Sequence, residues 1–504
     1  MFVSFLMPHE IRGRKAHHLM MFYKQVQAFG PDRIAFIGPA EYFRDPAELT
    51  AEGRGELAPY WRGFYEYEPP ASLEGVRRYV LPDDLFARRL RRRSQLHLYR
   101  DLLTERLPEL EAAFAAALDE LSAQGPIEAV LLFANVRSIE HVAQLRGIPV
   151  VHNELAPLRK PVYQFTAYWD LQGVNGHTDA LRRYRAFRHE APCDKVSLLS
   201  REELLCAMRR SPAPVAPAAA DARYKIGVAL QVEDDSNIQA FARGYTGLDL
   251  IMMAHDLVGR EQTLIRSHPL ALARDTGLLG VPDQSPDATS FVQACETILT
   301  VNSGTALEAL LLGRRCVAMG DTPFGFATDR VLGRPRERNE YNQLLALNFL
   351  IFGYLVPYGL MFDPDYTRWR LAQPSEIDIY RLHQRWYREH HACSGHGTAV
   401  TLGASTKLLR AALEGPQAMP VIVFGAGGTG KLVVNQLQAF GVDLRGVFDN
   451  DVQKWGTHIG GLAVSPPTFE TGTTVVIASL SYADEMTACL QALGYPPERM
   501  LRLV

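Results

Sequence analysis

Apolar positions along the chain fall in short runs separated by longer amphipathic stretches. Asp32 to Gly38 (DRIAFIG), Ala129 to Ala134 (AVLLFA) and Ile148 to Glu154 (IPVVHNE) have the length and composition of buried strands. Between them lie stretches of helical period, notably Ser94 to Gln124. Further on, YKIGVALQ, QTLIRSHP, TILTVNS and RCVAMG repeat the same alternation of strand and helix. Strands alternating with helices predict an α/β fold built on parallel sheets, with ligands at the carboxyl ends of the strands.

Two breaks divide this pattern. Ser211 to Lys225 (SPAPVAPAAADARYK) is rich in Pro and Ala without amphipathic period, which suits an extended linker. A second boundary falls near Gly415-Pro416, before a new strand signal. The expected organisation is an α/β domain over 1–210, a linker over 211–225, a second α/β domain with a helical return segment over 226–415, and a small domain over 416–504. A pair of such α/β domains resembles the twin-Rossmann arrangement called GT-B. The helical tract from Glu376 to Leu413 is expected to pack across both.

Composition narrows the class. Of 504 residues, 47% are hydrophobic and 22% charged, which excludes a disordered or collagen-like chain. The formal net charge of −3 gives no bulk attraction to nucleic acid, so no nucleic-acid partner is expected. Cys193, Cys206, Cys295, Cys316, Cys393 and Cys489 form no CxxC pair and read as reduced thiols. The N-terminal MFVSFLMPHEIRGRK lacks the order of a signal peptide, and no apolar run reaches about 20 residues. The expected location is the cytoplasm.

The loudest local pattern lies near the C-terminus. Val421 to Phe424 runs into Gly425-x-Gly427-x-x-Gly430, then a helix and a second strand ending at Asp449. The glycines allow a tight turn, close approach of a phosphate and close helix–strand packing, and the acid stands where a ribose hydroxyl would be held. A Rossmann-like half-domain is expected. With no YxxxK pair after it, the module reads as accessory, and a nucleotide at Gly425, Gly427, Gly430 and Asp449 is the rival use of the chain.

The middle of the chain carries the denser chemistry. Arg266-Ser267-His268-Pro269 ends one strand, and Asn302-Ser303-Gly304-Thr305 follows another and opens a helix. Free backbone N–H groups and hydroxyls at such a turn suit a phosphate, Arg266 and His268 could neutralise it, and Glu308 could grip a ribose. The Asp234-Asp235-Ser236-Asn237 run reads locally as a polar turn or helix N-cap. His390, His391, Cys393 and His396 match no zinc spacing, so no metal is expected.

RSHP, VNSGTALEALLLGRRCVAMGD, HNELAPLRKPVYQFTAYWDLQGVNG and ALQVEDDSNI, in the order they take across residues 148–320, resemble bacterial capsule and O-antigen polysaccharide glycosyltransferases. The nearest group is the retaining β-Kdo transferases, which use CMP-Kdo (Kdo is 3-deoxy-D-manno-oct-2-ulosonic acid). The resemblance implies CMP phosphate on Ser303, Gly304 and Thr305, with Asn302, His268 and Arg266 nearby and Glu308 at the ribose. It implies Asp235 as nucleophile, Asp234 being its rival if the match slips by one residue, with Glu154 as the acid/base at the acceptor hydroxyl and Gln231 in support. His268 joins the catalytic set.

The acceptor would be a glycan or lipid-linked glycan, and no cofactor is required beyond the CMP-sugar substrate. Arg88 to Arg93 is a dense basic run that suits either a solvated face or peripheral contact with the inner membrane. Two rival readings are a NAD(P)-dependent sugar oxidoreductase using the C-terminal glycines and a non-catalytic polysaccharide-assembly scaffold.

Overall fold

A computed structural model describes residues 1–8, 18–52, 57, 59–193, 196–210, 222–268, 279–334, 339–393, 419–439, 442–479 and 483–502. The chain forms two compact units, residues 1–57 with 64–388, and residues 58–63 with 389–504.

The larger unit contains two sheets. In the first, strands β1 (Phe2–Phe5), β2 (Ile34–Pro39), β3 (Arg77–Leu81), β4 (Ala129–Phe133) and β5 (Val150–Leu155) are parallel in the spatial order 3-2-1-4-5. Strand β6 (Thr166–Asp170) adds antiparallel to β5. The central strands β1, β2 and β4 are covered on both faces and nearly all apolar, whereas β3 and β5 carry polar residues. Phe2, Ile34, Phe36, Ala129 and Leu131 pack on one side, and their neighbours Val3, Ala35, Ile37, Val130 and Leu132 on the other. That is the period-2 alternation of a pleated strand.

The second sheet repeats the plan. Strands β7 (Tyr224–Ala229), β8 (Thr263–Arg266), β9 (Val281–Pro282), β10 (Cys295–Thr300) and β11 (Arg315–Ala318) are parallel in the order 11-10-7-8-9. The strand order reverses between β7 and β10, which is where ligands of open α/β sheets bind. Tyr224 and Lys225, expected in the linker, open β7, while 211–221 lie outside the described residues. After β11 the chain returns to the first sheet, where β12 (Val356–Pro357) pairs antiparallel with β6.

Two details fix this return. Arg183, on the helix Ala180–Cys193, donates from Nε and Nη2 to Glu376 at 2.9 and 3.0 Å, and from Nη2 to the Gly353 carbonyl at 2.7 Å. Glu376 opens the helix Glu376–Cys393, whose expected continuation to Leu413 lies outside the described residues. The stretch Ser94 to Gln124 is two helices, Gln95–Thr104 and Pro108–Ser122. Pro108 has no N–H to continue a helix but suits a first turn.

The smaller unit holds strands β13 (Val421–Phe424), β14 (Leu444–Phe448), β15 (His458–Ile459), β16 (Leu462–Ser465), β17 (Thr474–Ile477) and β18 (Met500–Arg502). Its parallel strands lie in the order 16-14-13-17-18, with β15 antiparallel on β16. This is a full five-strand doubly wound order, where the sequence reading expected half of one. The added parallel strands β16, β17 and β18 are three or four residues long.

Candidate active site

The site is assembled from the carboxyl ends of both sheets in the larger unit. Glu154 is the next-to-last residue of β5, pleated so that its side chain leaves the face occupied by Asn153. Its Oε1 accepts the Leu155 backbone N–H at 2.9 Å. Burial raises its carboxyl to about 7, against the pull of that bond and of Arg159, and Asp235 adds to the rise. The carboxyl is therefore divided between its acid and base forms near neutral pH.

Asp235 comes from the second sheet, six residues past the end of β7. It caps the helix Ser236–Phe241, its Oδ1 accepting the backbone N–H and the side-chain amide of Asn237, both at 2.9 Å. The N-cap reading of this run is correct, and it leaves Oδ2 outside both bonds. Asp235 is exposed, whereas Asp234 is half-buried.

Tyr99, which the sequence reading passed over, lies within reach of the charges of both carboxylates. It sits on the helix Gln95–Thr104, 7% exposed, with its hydroxyl bonded to Ser236. Burial, then the charges of Asp235 and Glu154, hold its phenol in the neutral form. Nothing in the local sequence separates it from an ordinary core tyrosine. Only the docking of its helix on Ser236–Phe241 brings it to the site.

The turn after β10 is tightly organised. The Gln231 amide donates to Asn302 Oδ1 at 2.9 Å, and its Oε1 accepts the Asn302 N–H at 3.0 Å and the Thr300 hydroxyl at 3.2 Å. Asn302 Nδ2 in turn donates to the carbonyls of Asn237 and Phe241 at 3.0 and 3.2 Å. Gln231, through Asn302, thus ties the turn after β10 to the helix that Asp235 caps. Ser303 Oγ lies 3.1 Å from Thr305 Oγ1 and accepts the Thr305 N–H at 3.2 Å.

Two expected donor-site residues have structural work that the sequence reading did not anticipate. A Cβ on Gly304 would lie 2.5 Å from Pro157 Cβ, so this glycine lets the loop after β5 press against the turn. The helix it opens, Thr305–Leu311, spans only seven residues. Arg266 donates from Nη1 to the Asp283 carboxylate, whose side chain is buried, and, at 3.4 Å, to the Ser285 carbonyl. Its guanidinium also lies 5.8 Å over the Phe291 ring. His268, two residues beyond β8, is partly exposed.

Glu308 is held among Tyr163, Asp287, Arg266 and Arg209, and burial raises its carboxyl to about 7. The Tyr163 hydroxyl stands against it. Both Tyr163 and Pro157 belong to the segment after β5, so the first sheet also contributes residues beside Glu308 and Gly304. Gly176 makes a similar approach: a Cβ there would lie 2.3 Å from Phe241 Cδ1.

In the smaller unit the fingerprint glycines take their expected roles in part. Gly425 has φ +120°, and a Cβ on Gly430 would lie 1.6 Å from the Gly425 carbonyl oxygen. Gly427 faces open space. Asp449 is engaged within the protein, accepting the N–H of Ala426 at 2.6 Å and of Asp451 at 2.8 Å, with Lys454 Nζ at 3.2 Å. Burial opposes ionisation, but these bonds outweigh it and hold the carboxyl below its ordinary range. Among the described residues no group of three or more His, Cys, Asp or Glu is placed to hold a metal. Of His390, His391, Cys393 and His396, His396 lies outside the described residues.

The class defined by this architecture is the twin-Rossmann, GT-B-like α/β fold. Residues 4–179 match the Glycosyltransferase 99 family N-terminal domain, which supports the resemblance to capsule glycosyltransferases. A comparison with curated proteins found no match. Among solved structures, the Thermosulfurimonas dismutans KpsC β-Kdo 2,7 transferase aligns at 18% identity over 49% of this chain and 86% of its own, with TM-score 0.33. The Neisseria meningitidis UDP-GlcNAc 2-epimerase aligns at 12% identity over 76% and 94%, with TM-score 0.23. The spinosyn rhamnosyltransferase SpnG aligns at 13% identity over 76% and 99%, with TM-score 0.26.

Proposed function

We propose that the protein is a glycosyltransferase that moves Kdo, or a related acidic sugar, from a CMP donor to a glycan or lipid-linked glycan acceptor with retention of configuration. The observation that carries the reading is that Glu154 and Asp235, from two different Rossmann sheets, are near enough for their charges to act on each other and on Tyr99. The family match over residues 4–179 covers Glu154 and supports the class of reaction.

In this reading Asp235 attacks the anomeric carbon through Oδ2 and displaces CMP, forming a glycosyl ester. Glu154, ionised, then takes the proton of the acceptor hydroxyl as that oxygen attacks the same carbon and releases Asp235. Two displacements restore the starting configuration. Burial brings Glu154 to titrate near neutrality, as a group that takes and returns a proton requires. The Tyr99 phenol, held neutral, positions the Ser236 end of the nucleophile's helix. Ser303 and Thr305 hydroxyls, His268 and the turn braced by Gln231 and Asn302 hold the CMP phosphate. Glu308 holds the ribose, with Arg266 as its nearby positive charge, and Gly304 contributes by admitting Pro157. No cofactor enters the reaction, and peripheral contact with a membrane would bring a lipid-linked acceptor within reach.

The reading is tested by following CMP release from CMP-Kdo with a Kdo-terminated glycan as acceptor. Acceptor-dependent release that Asp235→Asn and Glu154→Gln each abolish supports transfer. CMP binding without release over a panel of acceptors favours a scaffold. NAD(P)H oxidation with a sugar substrate, lost in Gly427→Val, favours the oxidoreductase.

A further inference from the structure

The basic run from Arg88 to Arg93 takes no part in the chemistry above, yet it is folded into a defined feature. Arg88 to Leu90 belong to the short helix Ala87–Leu90, and the rest turns into the N-terminus of Gln95–Thr104, capped by Ser94. A surface pocket of about 580 Å³ lies there, lined by Leu90, Arg91, Arg92, Arg93, Ser94, His97 and Arg100. We propose that this pocket is a phosphate-binding site.

The arginines divide into two groups. Arg89 is paired with Glu109, and Arg93 donates from Nη1 to both oxygens of the buried Asp101 carboxylate at 2.9 and 2.7 Å. These pairs brace the turn. Arg91, Arg92 and Arg100 are exposed, and among the described residues no carboxylate lies within ion-pair distance of them. The pocket lining itself contains no acid. Three uncompensated guanidiniums on one concave wall repel one another, and an anion between them removes that repulsion.

Guanidinium forks match phosphate oxygens with paired N–H donors, so phosphate is the anion this wall suits best. The backbone supports the same sign of ligand, since the first turn of a ten-residue helix opens onto the pocket. Ser94 Oγ lies 2.8 Å from His97 Nδ1, which fixes the ring at the rim. The site also has a place in the larger plan. Arg100 adjoins Tyr99, whose hydroxyl reaches the helix capped by Asp235, so one helix carries a phosphate at its open end and the reacting carboxylates' partner on its inner face.

The test is titration of the full chain with inorganic phosphate by calorimetry at low ionic strength, repeated on Arg92→Ala/Arg100→Ala. All the substituted side chains are exposed, and circular dichroism checks the fold. Arg92→Lys/Arg100→Lys keeps the charge without the fork and serves as the second variant. Saturable binding that weakens about tenfold or more in the alanine pair, and less in the lysine pair, is expected. Sedimentation with phosphatidylcholine vesicles, with and without phosphatidylglycerol, then separates the sources. Phosphate-displaceable retention on the anionic vesicles assigns the group to a lipid headgroup, and no retention assigns it to a soluble phosphate. Absence of phosphate binding, or equal binding in parent and both variants, overturns the proposal. The assay needs no turnover, so it can fail while the transfer reading stands, and the reverse.

Discussion

Gly304 and Pro157 touch across the two sheets of the larger unit so closely that a single added Cβ would fall 2.5 Å from the proline Cβ. Gly304 has φ −58° and ψ −20°, an ordinary right-handed conformation, so the backbone alone would accept alanine. Gly304→Ala is therefore expected to cost about 1–3 kcal/mol through overpacking. Chemical denaturation measures it. Combining the change with Pro157→Gly should return part of the loss, because the two effects share one contact. Simple addition of the two single costs would show that the contact is not the cause.

Glu154 sets a pH dependence. In the proposed reaction it is the base for the acceptor hydroxyl and must be ionised, so transfer should rise with pH through about 7 and level off above it. Glu308 titrates in the same range, so the profile is to be repeated with Glu308→Gln. The inflection should persist there while KM for the donor rises. An inflection that disappears with Glu308 would assign it to the wrong carboxyl.

The same shift acts on stability, with a definite sign. The folded pKa of Glu154 is raised, so the unfolded chain binds fewer protons between about pH 4.5 and 7. Ionising the buried carboxyl therefore lowers stability as pH rises through that window. Glu154→Gln should raise Tm relative to the parent at pH 8, by a few degrees, and leave the two close together at pH 5. A gain confined to pH 5 would contradict the burial argument.

Arg183 and Glu376 form the buried pair that anchors the return helix. Arg183 is 4% exposed and Glu376 9%. Removing one partner strands the other charge, so Glu376→Ala should cost about 3–5 kcal/mol in urea denaturation. Replacing both residues by apolar ones of similar volume should cost much less.

In the smaller unit, Gly430→Ala would place a Cβ 1.6 Å from the Gly425 carbonyl oxygen. The β13 turn cannot keep its form with that contact. Limited proteolysis should become rapid within residues 419–502 and stay slow within residues 224–268. CMP binding, measured as a thermal shift, should survive.

The parts legible in the sequence were those where local pattern and tertiary role coincide. The apolar runs of β2, β4, β5, β7, β8, β10 and β11 fixed the α/β class and the strand ends from which Glu154 and Arg266 emerge. The Asp235 run was readable as a cap, since Asp followed by Ser and Asn has few other local uses. Residues whose role depends on another segment were not readable. Tyr99 looks like a core tyrosine until its helix meets Ser236, and Gly304 looks like a phosphate-turn glycine until Pro157 is placed beside it. Asp449 shows the converse: its spacing is that of a ribose ligand, yet Ala426, Asp451 and Lys454 already occupy its carboxylate. Strand β9 has only two residues, and β1, β3 and β6 break their apolar runs with Ser4, with Arg77 and Arg78, and with Thr166 and Asp170, so these strands did not stand out before pairing.

The central claim is that Asp235 forms a covalent bond to the transferred sugar. Intact-mass spectrometry of the full chain after incubation with CMP-Kdo, without acceptor, tests it most directly. The account predicts an adduct of one Kdo residue in the parent and in Asp234→Ala, absent in Asp235→Ala. An adduct that survives in Asp235→Ala, or moves to loss in Asp234→Ala alone, would contradict it.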